Sequence, residues 1–354
     1  MKTNVIDNPI RLALEKIHQA NIKRLFVKIY TDDQSTKNVL IDETMSIQQL
    51  IVLLFHKYRV KPTINYAIIE DLQDLHLYRV LEDHQNLIND ALVYWPRDTH
   101  NRICFREHRH RYLLFEEPRK FFSTRDETNE TFAEELLADY VASKKNLLPD
   151  DITSILYIKE KNRKVWKKFT CILRQSGIYQ IQKSSPLSSS KRDLICLLKF
   201  DQNMQLYHAN QWVEELRSPT SYGFALKYPH VHKKSSKYIH YLCTNTQTEC
   251  QRWINGIRLI LYGDQLLENY QKMKRVVREG PESLLRQWPE RRLLNFVPSI
   301  QSSLQHSFSS ISMPINRIVF QSTETSNNLM EIDVPSAKHE FRSLGKFIFI
   351  VCRI

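Results

Sequence analysis

Between residues 22 and 122, apolar positions alternate with a period of two in several short runs and follow a helical period in one longer run. The alternating runs predict strands, and the longer run, from Ile47 to Arg59, predicts a helix. The helix is expected to begin at residues 42–44, with Ser46 as an alternative cap. The predicted strands lie at 25–30, 36–41, 66–70, 75–81 and 102–106, and a second short helix lies at 86–92. The resulting order, strand-strand-helix-strand-strand-helix-strand, is that of a ubiquitin-like β-grasp domain.

A second set of apolar runs predicts a domain with seven strands and one closing helix. The strands are expected at 155–158, 166–173, 178–181, 194–198, 204–207, 224–228 and 238–243. The helix covers 246–261, and Trp253 lies on its apolar face. Seven strands followed by a Trp-bearing helix is the layout of a pleckstrin-homology β-barrel or sandwich. The fold class predicted for the chain is therefore α+β.

The segments around these two domains have other compositions. Residues 10–21 carry apolar positions at helical spacing and predict an amphipathic N-terminal helix. We expect domains at 22–122 and 152–270, joined by a polar linker at 123–151. A basic, Ser-rich tail at 271–354 is expected to be largely disordered.

Charge is distributed unevenly between the predicted domains. The chain has a formal net charge of +12. Residues 22–121 contain 15 Lys and Arg against 14 Asp and Glu, whereas residues 152–270 contain 18 against 8. The second domain therefore carries most of the positive field, which favours an anionic partner such as a membrane surface, nucleic acid or an acidic protein.

The densest basic cluster lies at the tip of the first hairpin of the second domain. Its six cations occupy ten residues: Lys159, Lys161, Arg163, Lys164, Lys167 and Lys168. Like charges this close repel one another unless an anion meets them. A solvated loop is the alternative interpretation of such a run.

Several function classes find no support in the sequence. The first of six glycines is Gly177, and no phosphate-cradling glycine motif occurs, which argues against nucleotide-dependent enzymes with such loops. Six scattered cysteines without a CxxC motif indicate a reducing compartment, and we expect no signal peptide and no membrane span. His100, His108 and His110 lie near Cys104, but solvated side chains are expected there rather than a metal site. We predict no catalytic residues, no metal and no cofactor.

The strand at Lys37–Ile41 is expected at the open edge of the first domain's sheet. Edge strands have unpaired backbone groups that can accept a partner strand. Lys28 and Lys37 on this hairpin would suit an acidic partner strand. Ordinary surface lysines are the alternative interpretation.

Seven blocks, in this order, resemble the RIAM and lamellipodin adaptors over roughly residues 11–272. They are LALEKIHQANIKRL, DDQSTKNVLID, LEDHQNLINDALVYWPRDTHNRICF, YLLFEEPRKFF, SGIYQIQK, the helix segment from Trp253 to Arg258, and the segment from Tyr262 to Tyr270. The resemblance implies a Ras-associating domain joined to a pleckstrin-homology domain in one unit. It implies a non-enzymatic, cytoplasmic signalling adaptor, recruited to the inner face of the plasma membrane and linked to actin dynamics and cell adhesion.

The resemblance also implies two partners: a GTP-loaded Ras-family GTPase of the Rap or Ras kind, and phosphoinositide lipids. The predicted GTPase-binding residues are Lys28, Lys37, Asn38 and Val39. The predicted lipid-binding residues are the six hairpin cations. Phe169 departs from the family pattern because an Arg is expected at its position, and Lys168 points to the opposite strand face. Weaker and less selective lipid binding is therefore expected.

Two other interpretations remain open at this stage. The Pro-rich segments that recruit actin regulators in the family do not occur after Tyr270, which suggests a truncated or regulatory variant without the actin-linking output. The positive charge would also suit a nucleic-acid-binding protein, although no DNA- or RNA-reading motif is present. We expect no nucleic acid partner.

Overall fold

A computed structural model describes residues 24–96, 99–121, 152–160, 163, 165–182, 194–234 and 237–281. The predicted N-terminal helix at 10–21, the linker at 123–151 and the tail beyond residue 281 lie outside these residues. The strands and helices described below confirm the predicted α+β fold class.

In the described part of the first domain there are five strands and three α-helices. The strands are β1 (Arg24–Tyr30), β2 (Thr36–Asp42), β3 (Tyr66–Leu72), β4 (Leu77–Val80) and β5 (Arg102–Glu107). The helices are α1 (Ile47–Tyr58), α2 (Leu87–Asp90) and α3 (Leu113–Glu116). β1 pairs with β2 in antiparallel and with β5 in parallel orientation, as expected for a β-grasp sheet.

Local signals explain where α1 begins. Ser46 is its N-cap: the Ser46 hydroxyl accepts from the Gln49 N–H, and the Gln49 side chain accepts from the Ser46 N–H. This reciprocal pair is a capping box, which satisfies two otherwise unpaired donors. The alternative cap predicted from sequence is therefore the correct one. The buried face of α1 packs on the sheet, where Phe55 contacts the rings of Tyr66 and Phe105.

Among its described residues, the second domain has seven strands and three α-helices. The strands are β6 (Thr153–Lys159), β7 (Trp166–Arg174), β8 (Gly177–Ile181), β9 (Leu194–Lys199), β10 (Gln205–Ala209), β11 (Gly223–Lys227) and β12 (His240–Cys243). The helices are α4 (Trp212–Leu216), α5 (Gln247–Tyr262) and α6 (Asp264–Glu279). Trp253 of α5 is fully buried, and its Nε1 donates to Ser154 Oγ at 2.8 Å.

One hydrogen-bonded series of strands crosses both domains. Its order is β2-β1-β5-β3-β4-β10-β11-β12-β6-β7-β8-β9. The join is the antiparallel pairing of His208 with Tyr78 and of Ala209 with Leu77. The Trp212 Nε1 also donates across the junction to the His76 carbonyl at 2.8 Å. Backbone pairing across the junction holds the two domains together as one unit.

Buried ionic contacts add to this junction. Arg258 of α5 donates from Nε and Nη2 to the two carboxylate oxygens of Glu82, at 2.7 and 3.0 Å. Its Nη1 donates to the Arg111 carbonyl at 2.8 Å. Arg111 in turn pairs with Asp83, whose second oxygen accepts from the Tyr112 hydroxyl. A buried bidentate pair of this kind is sensitive to the loss of either partner.

The C-terminal helix extends beyond the predicted end of the second domain. α6 continues through Glu279, so residues 271–279 are helical and differ from the expectation of a disordered tail. Met273 and Val276 are buried in the core of the first domain. Their helical spacing turns both side chains to one face, which explains why a mostly polar segment packs against the first domain.

Of the histidines expected to be solvated, His100 and His110 are exposed, whereas His108 is half-buried at the junction between the domains. His108 and His208 lie 5.3 Å apart by ring centroid, and His208 stacks on Tyr78. Burial, aided by the charge of Arg258, lowers the pKa of His108 to about 4. Burial and the neighbouring His108 lower the pKa of His208 well below its usual value. The pairing of β4 with β10 places these side chains together, and no local pattern signals it.

These low pKa values predict that acid weakens the fold. Below about pH 6.5 the unfolded chain protonates both imidazoles, whereas the folded chain takes up a proton at His108 only near pH 4. The free energy of unfolding should therefore decrease as the pH falls through this window. Urea unfolding at pH 7 and pH 5 would measure the loss. A His108→Gln/His208→Gln variant should lose less stability between the two pH values, and an equal loss would contradict this explanation.

Candidate functional site

The strand β2 lies at one end of the sheet series, as predicted for the GTPase-binding edge. The register pairs Lys28 with Asn38 and Ile29 with Lys37. Directly paired residues share a face of the sheet. Lys28 and Asn38 therefore lie on the outer face, whereas Lys37 lies on the face covered by α1. The two predicted lysines flank the same edge from opposite sides.

Lys37 is held against the end of α1. Its ammonium donates to the Lys57 carbonyl at 2.7 Å and lies 4.5 Å from the ring centre of Tyr58. Lys57 in turn donates to the Asn38 carbonyl at 2.6 Å. Burial and the neighbouring charge of Lys37 lower the pKa of Lys57. Lys57 is a basic residue at this edge that the sequence analysis missed, because it belongs to a helix distant in sequence.

Val39 has a different environment from the other predicted GTPase contacts. Its side chain is 1% exposed in the core beneath α1. The side chain therefore cannot reach a partner, and Val39 can contribute only backbone groups. On the outer face, Phe26 pairs with Leu40, and the Phe26 side chain is 50% exposed. This apolar residue adjoins Lys28 on the partner-accessible side, and it was also missed.

The hairpin of β6 and β7 carries the predicted lipid-binding cations. Lys159, Lys167 and Lys168 lie on its strands and Arg163 lies in its turn, while Lys161 and Lys164 lie outside the described residues. Ile158 pairs with Lys167, and Lys159 pairs with Trp166. Lys159 and Lys167 therefore project from opposite faces of the hairpin. The strand lysines of the predicted cluster are therefore divided between the two faces.

Glu160 neutralises part of the basic hairpin. Its carboxylate pairs with the Lys167 ammonium, and the Arg163 guanidinium lies 3.7 Å away. The hydrogen bond from Lys167 is the main reason why the pKa of Glu160 is lowered. The sequence analysis counted cations and did not consider this single acidic residue among them.

A cavity of about 250 Å³ lies next to Lys167 at the mouth of the barrel. Its lining is mostly apolar and comprises Ile158, Lys159, Glu160, Lys167, Phe169, Ile178, Leu197, Leu198, Ile239, His240 and Leu242. Phe169 pairs with Leu156 of the core and projects to the same side as Lys167. Phe169 thus places an apolar ring beside Lys167, at the position where the family resemblance led us to expect an arginine.

A second basic segment adjoins the hairpin. Lys233, Lys234 and Lys237 are exposed in the loop between β11 and β12. Burial and the charge of Lys234 lower the pKa of Lys159. Glu215 of α4 accepts from Lys234 at 3.2 Å and also contacts His76. These loop lysines could have been found from sequence, because they form a short basic run in a polar connection.

The described residues were also compared with the requirements of a metal site and of a membrane-spanning helix. No three His, Cys, Asp or Glu side chains there converge as metal ligands would. None of the helices described is both long and apolar enough to cross a bilayer.

Comparison with known proteins identifies similar chains. The family described as RA like domain matches residues 23–109. The human Ras-associated and pleckstrin homology domains-containing protein 1 is 34% identical over 265 residues, which cover 74% of this chain and 21% of the relative. A Gallus gallus protein, the amyloid beta A4 precursor protein-binding family B member 1-interacting protein, is 34% identical over 267 residues, covering 74% of this chain and 54% of the relative.

A solved structure is similar to this chain in three dimensions. The crystal structure of the coiled-coil, RA and PH domains of lamellipodin matches with a TM-score of 0.65 and 31% identity. The match covers 76% of this chain and 99% of that one. The chain thus matches nearly the whole of that multidomain fragment, whereas it spans between about a fifth and a half of the length of the curated relatives named above.

Proposed function

Since this chain belongs to the RIAM and lamellipodin family of signalling adaptors, we propose that it recruits a GTP-loaded Ras-family GTPase and an anionic phosphoinositide membrane at once. The observation that carries the GTPase part is the terminal position of β2 in the sheet series. A strand of the GTPase would pair with the backbone of β2, and its acidic side chains would meet Lys28 on one face and Lys37 on the other. Lys57 would add a third cation.

The basic hairpin of β6 and β7 supports the membrane part of the proposal. It belongs to a domain whose net charge is +10 over residues 152–270, whereas the first domain is nearly neutral. Each basic residue near an anionic surface contributes roughly 1 kcal/mol of attraction. The membrane contact would thus depend on ionic strength and remain weak alone.

The junction between the domains would allow the GTPase contact and the membrane contact to strengthen one another. The pairing of β4 with β10 and the Arg258–Glu82 ion pair hold the β2 edge and the hairpin in one unit. When one site is bound, the other meets its partner at a raised effective concentration. The protein would then respond to coincidence of the GTPase and the lipid, and would connect both to actin dynamics and cell adhesion.

The first experiment is binding of the full chain to a panel of Ras-family proteins in GTP and GDP forms. We expect at least one member to bind in its GTP form and to bind more weakly with GDP. Co-sedimentation of that GTPase, anchored on anionic vesicles, should retain more protein than either partner alone. If no member binds in a GTP-dependent manner, the GTPase part of the proposal is wrong.

Lys37→Glu should weaken GTP-dependent binding by about tenfold or more, a loss of about 1.4 kcal/mol. The new carboxylate would repel the acidic partner and would also lose the hydrogen bond to the Lys57 carbonyl. Isothermal titration would measure the change. Lys199→Glu, at an exposed position of β9 at the opposite end of the series, is the matched control and should bind normally. Unchanged binding by Lys37→Glu would exclude the β2 edge.

A further inference from the structure

The strand register of the β6–β7 hairpin distinguishes two faces that could receive an anion. Ile158, Lys167 and Phe169 share the inner face, which closes over the barrel mouth. Lys159 and Lys168 share the outer face, where Lys159 pairs with Trp166 and Lys168 pairs with Tyr157. The pleat alone places the neighbouring Lys167 and Lys168 on opposite sides. A single headgroup can therefore contact the lysines of only one face of the hairpin.

The inner face is poorly suited to a phosphate. Lys167 is already paired with Glu160, which also lies within 3.7 Å of Arg163. A phosphate there would have to displace the carboxylate or accept its repulsion. Most of the adjoining cavity wall is apolar and offers no hydrogen bonds, as at Ile158 and Phe169, although Lys159 and His240 also line it. Moving a charged group beside such walls costs free energy unless new partners compensate.

The outer face of the hairpin is better suited to a phosphate. The Lys168 ammonium lies 6.0 Å from the ring centre of Tyr157, and no carboxylate pairs with it in the described part of the chain. The Lys159 ammonium lies 5.8 Å from the ring centre of Tyr241 and donates to the Arg163 carbonyl at 3.0 Å. Aromatic rings under these cations keep the lysine stems packed while the charges remain available.

The loop between β11 and β12 extends this outer surface. Burial is the main reason why the pKa of Lys159 is lowered, and the charge of Lys234 adds to this effect. Lys234 keeps a single carboxylate partner, Glu215, at 3.2 Å. Lys233 and Lys237 are exposed in the same loop. The exposed lysines of this loop add positive charge beside the outer face of the hairpin, which would attract an anion bound there.

We propose that the phosphoinositide headgroup binds on the outer face of the hairpin, at Lys168 and Lys159, and not beside Lys167 on the inner face. This inference rests on the proposed membrane function and specifies the surface that performs it. Glu160 pairs with Lys167 on the inner face, whereas Lys168 on the outer face has no carboxylate partner within the described residues. The ligand is the phosphorylated headgroup of a membrane lipid.

Lys168→Gln and Lys167→Gln form a matched pair for the test. The two positions are adjacent and exposed, and each variant removes one positive charge. Full-length protein would be sedimented with phosphatidylcholine vesicles that carry phosphatidylinositol bisphosphate. We expect Lys168→Gln to bind about fivefold more weakly, from roughly 1 kcal/mol per basic residue, and Lys167→Gln to change by less than about twofold. A loss in Lys167→Gln that equals or exceeds that in Lys168→Gln would overturn the assignment.

A charge-neutral variant provides an independent check. Glu160→Gln combined with Lys167→Gln removes the inner ion pair without changing the net charge. Binding within about twofold of the unaltered protein supports the outer face, and a loss of about fivefold or more overturns it. Failure of the unaltered protein to bind any anionic vesicle would instead refute the proposed membrane function.

Soluble inositol trisphosphate, added as competitor, should displace the protein only partly, because the surrounding bilayer charge also attracts the lysines. Full displacement at low concentration would identify a soluble phosphate as the ligand.

Discussion

Replacing Arg258 with alanine should lower the free energy of unfolding by about 3–5 kcal/mol. The guanidinium is 7% exposed and donates to both oxygens of Glu82, so its removal leaves a buried carboxylate without its cation. It also leaves the Arg111 carbonyl without this donor. Because the pair joins the two domains, we expect unfolding to separate into two transitions. Chemical denaturation followed by several spectroscopic probes would show both effects.

Two controls make this prediction specific to the buried pair. Arg278→Ala removes an exposed arginine from the end of α6 and should change stability by less than about 0.5 kcal/mol. Replacing both Arg258 and Glu82 with leucine removes the charge and its partner together. We expect this double variant to be more stable than Arg258→Ala, because no uncompensated charge remains buried. A double variant that is no more stable than Arg258→Ala would show that the buried uncompensated charge is not the cause.

The second large effect is expected for Trp253→Ala, which should cost about 3–5 kcal/mol. The indole is fully buried in the second core, where it stacks with Phe224 at 6.4 Å. Truncation leaves a cavity and removes the hydrogen bond to Ser154 Oγ. The barrel should then lose both its cooperative transition and its vesicle binding. Thermal unfolding and vesicle sedimentation of the same preparation would test the two consequences together.

Tyr238→Ala is the control for the loss of an aromatic ring. Its side chain is 51% exposed in the loop before β12, so its removal opens no cavity. Its stability should remain within about 0.5 kcal/mol of the unaltered protein. Trp253→Phe should have an intermediate cost, because the ring retains most of its contacts but not the hydrogen bond. Equal stability of Trp253→Ala and the unaltered protein would mean that this helix does not close the barrel.

The order of the strands and the positions of α1, α2 and α5 were accessible from sequence because their signals are local, whereas α3, α4 and α6 were not predicted. Apolar alternation marked the strands of both domains, and helical spacing marked α1 and α5. Trp253 was recognised as part of an apolar helix face, and it is buried there. The position of β2 at the sheet edge followed from the β-grasp order alone. These inferences require only the few residues on either side of each position.

The candidate sites could be predicted only in part from the sequence, because they depend on contacts between residues that are distant in the chain. The division of Lys167 and Lys168 between two faces follows from strand alternation, but the identity of each face depends on what packs against it. Glu160 seemed a minor exception within a basic run, yet its pairing decides which cations remain available. Lys57 reaches β2 from α1, a contact between residues 19 apart.

By itself, the sequence determined the order of the strands, the fold class, the basic character of the second domain and the family resemblance, because periodicity and composition are properties of short stretches. Only the tertiary structure decided how the domains join, since Arg258 and Glu82 are 176 residues apart in the chain. It also decided that Val39 is buried, that α6 packs against the first domain, and which lysines face outward. Each of these depends on long-range packing, in which one residue of register changes the face that a side chain occupies.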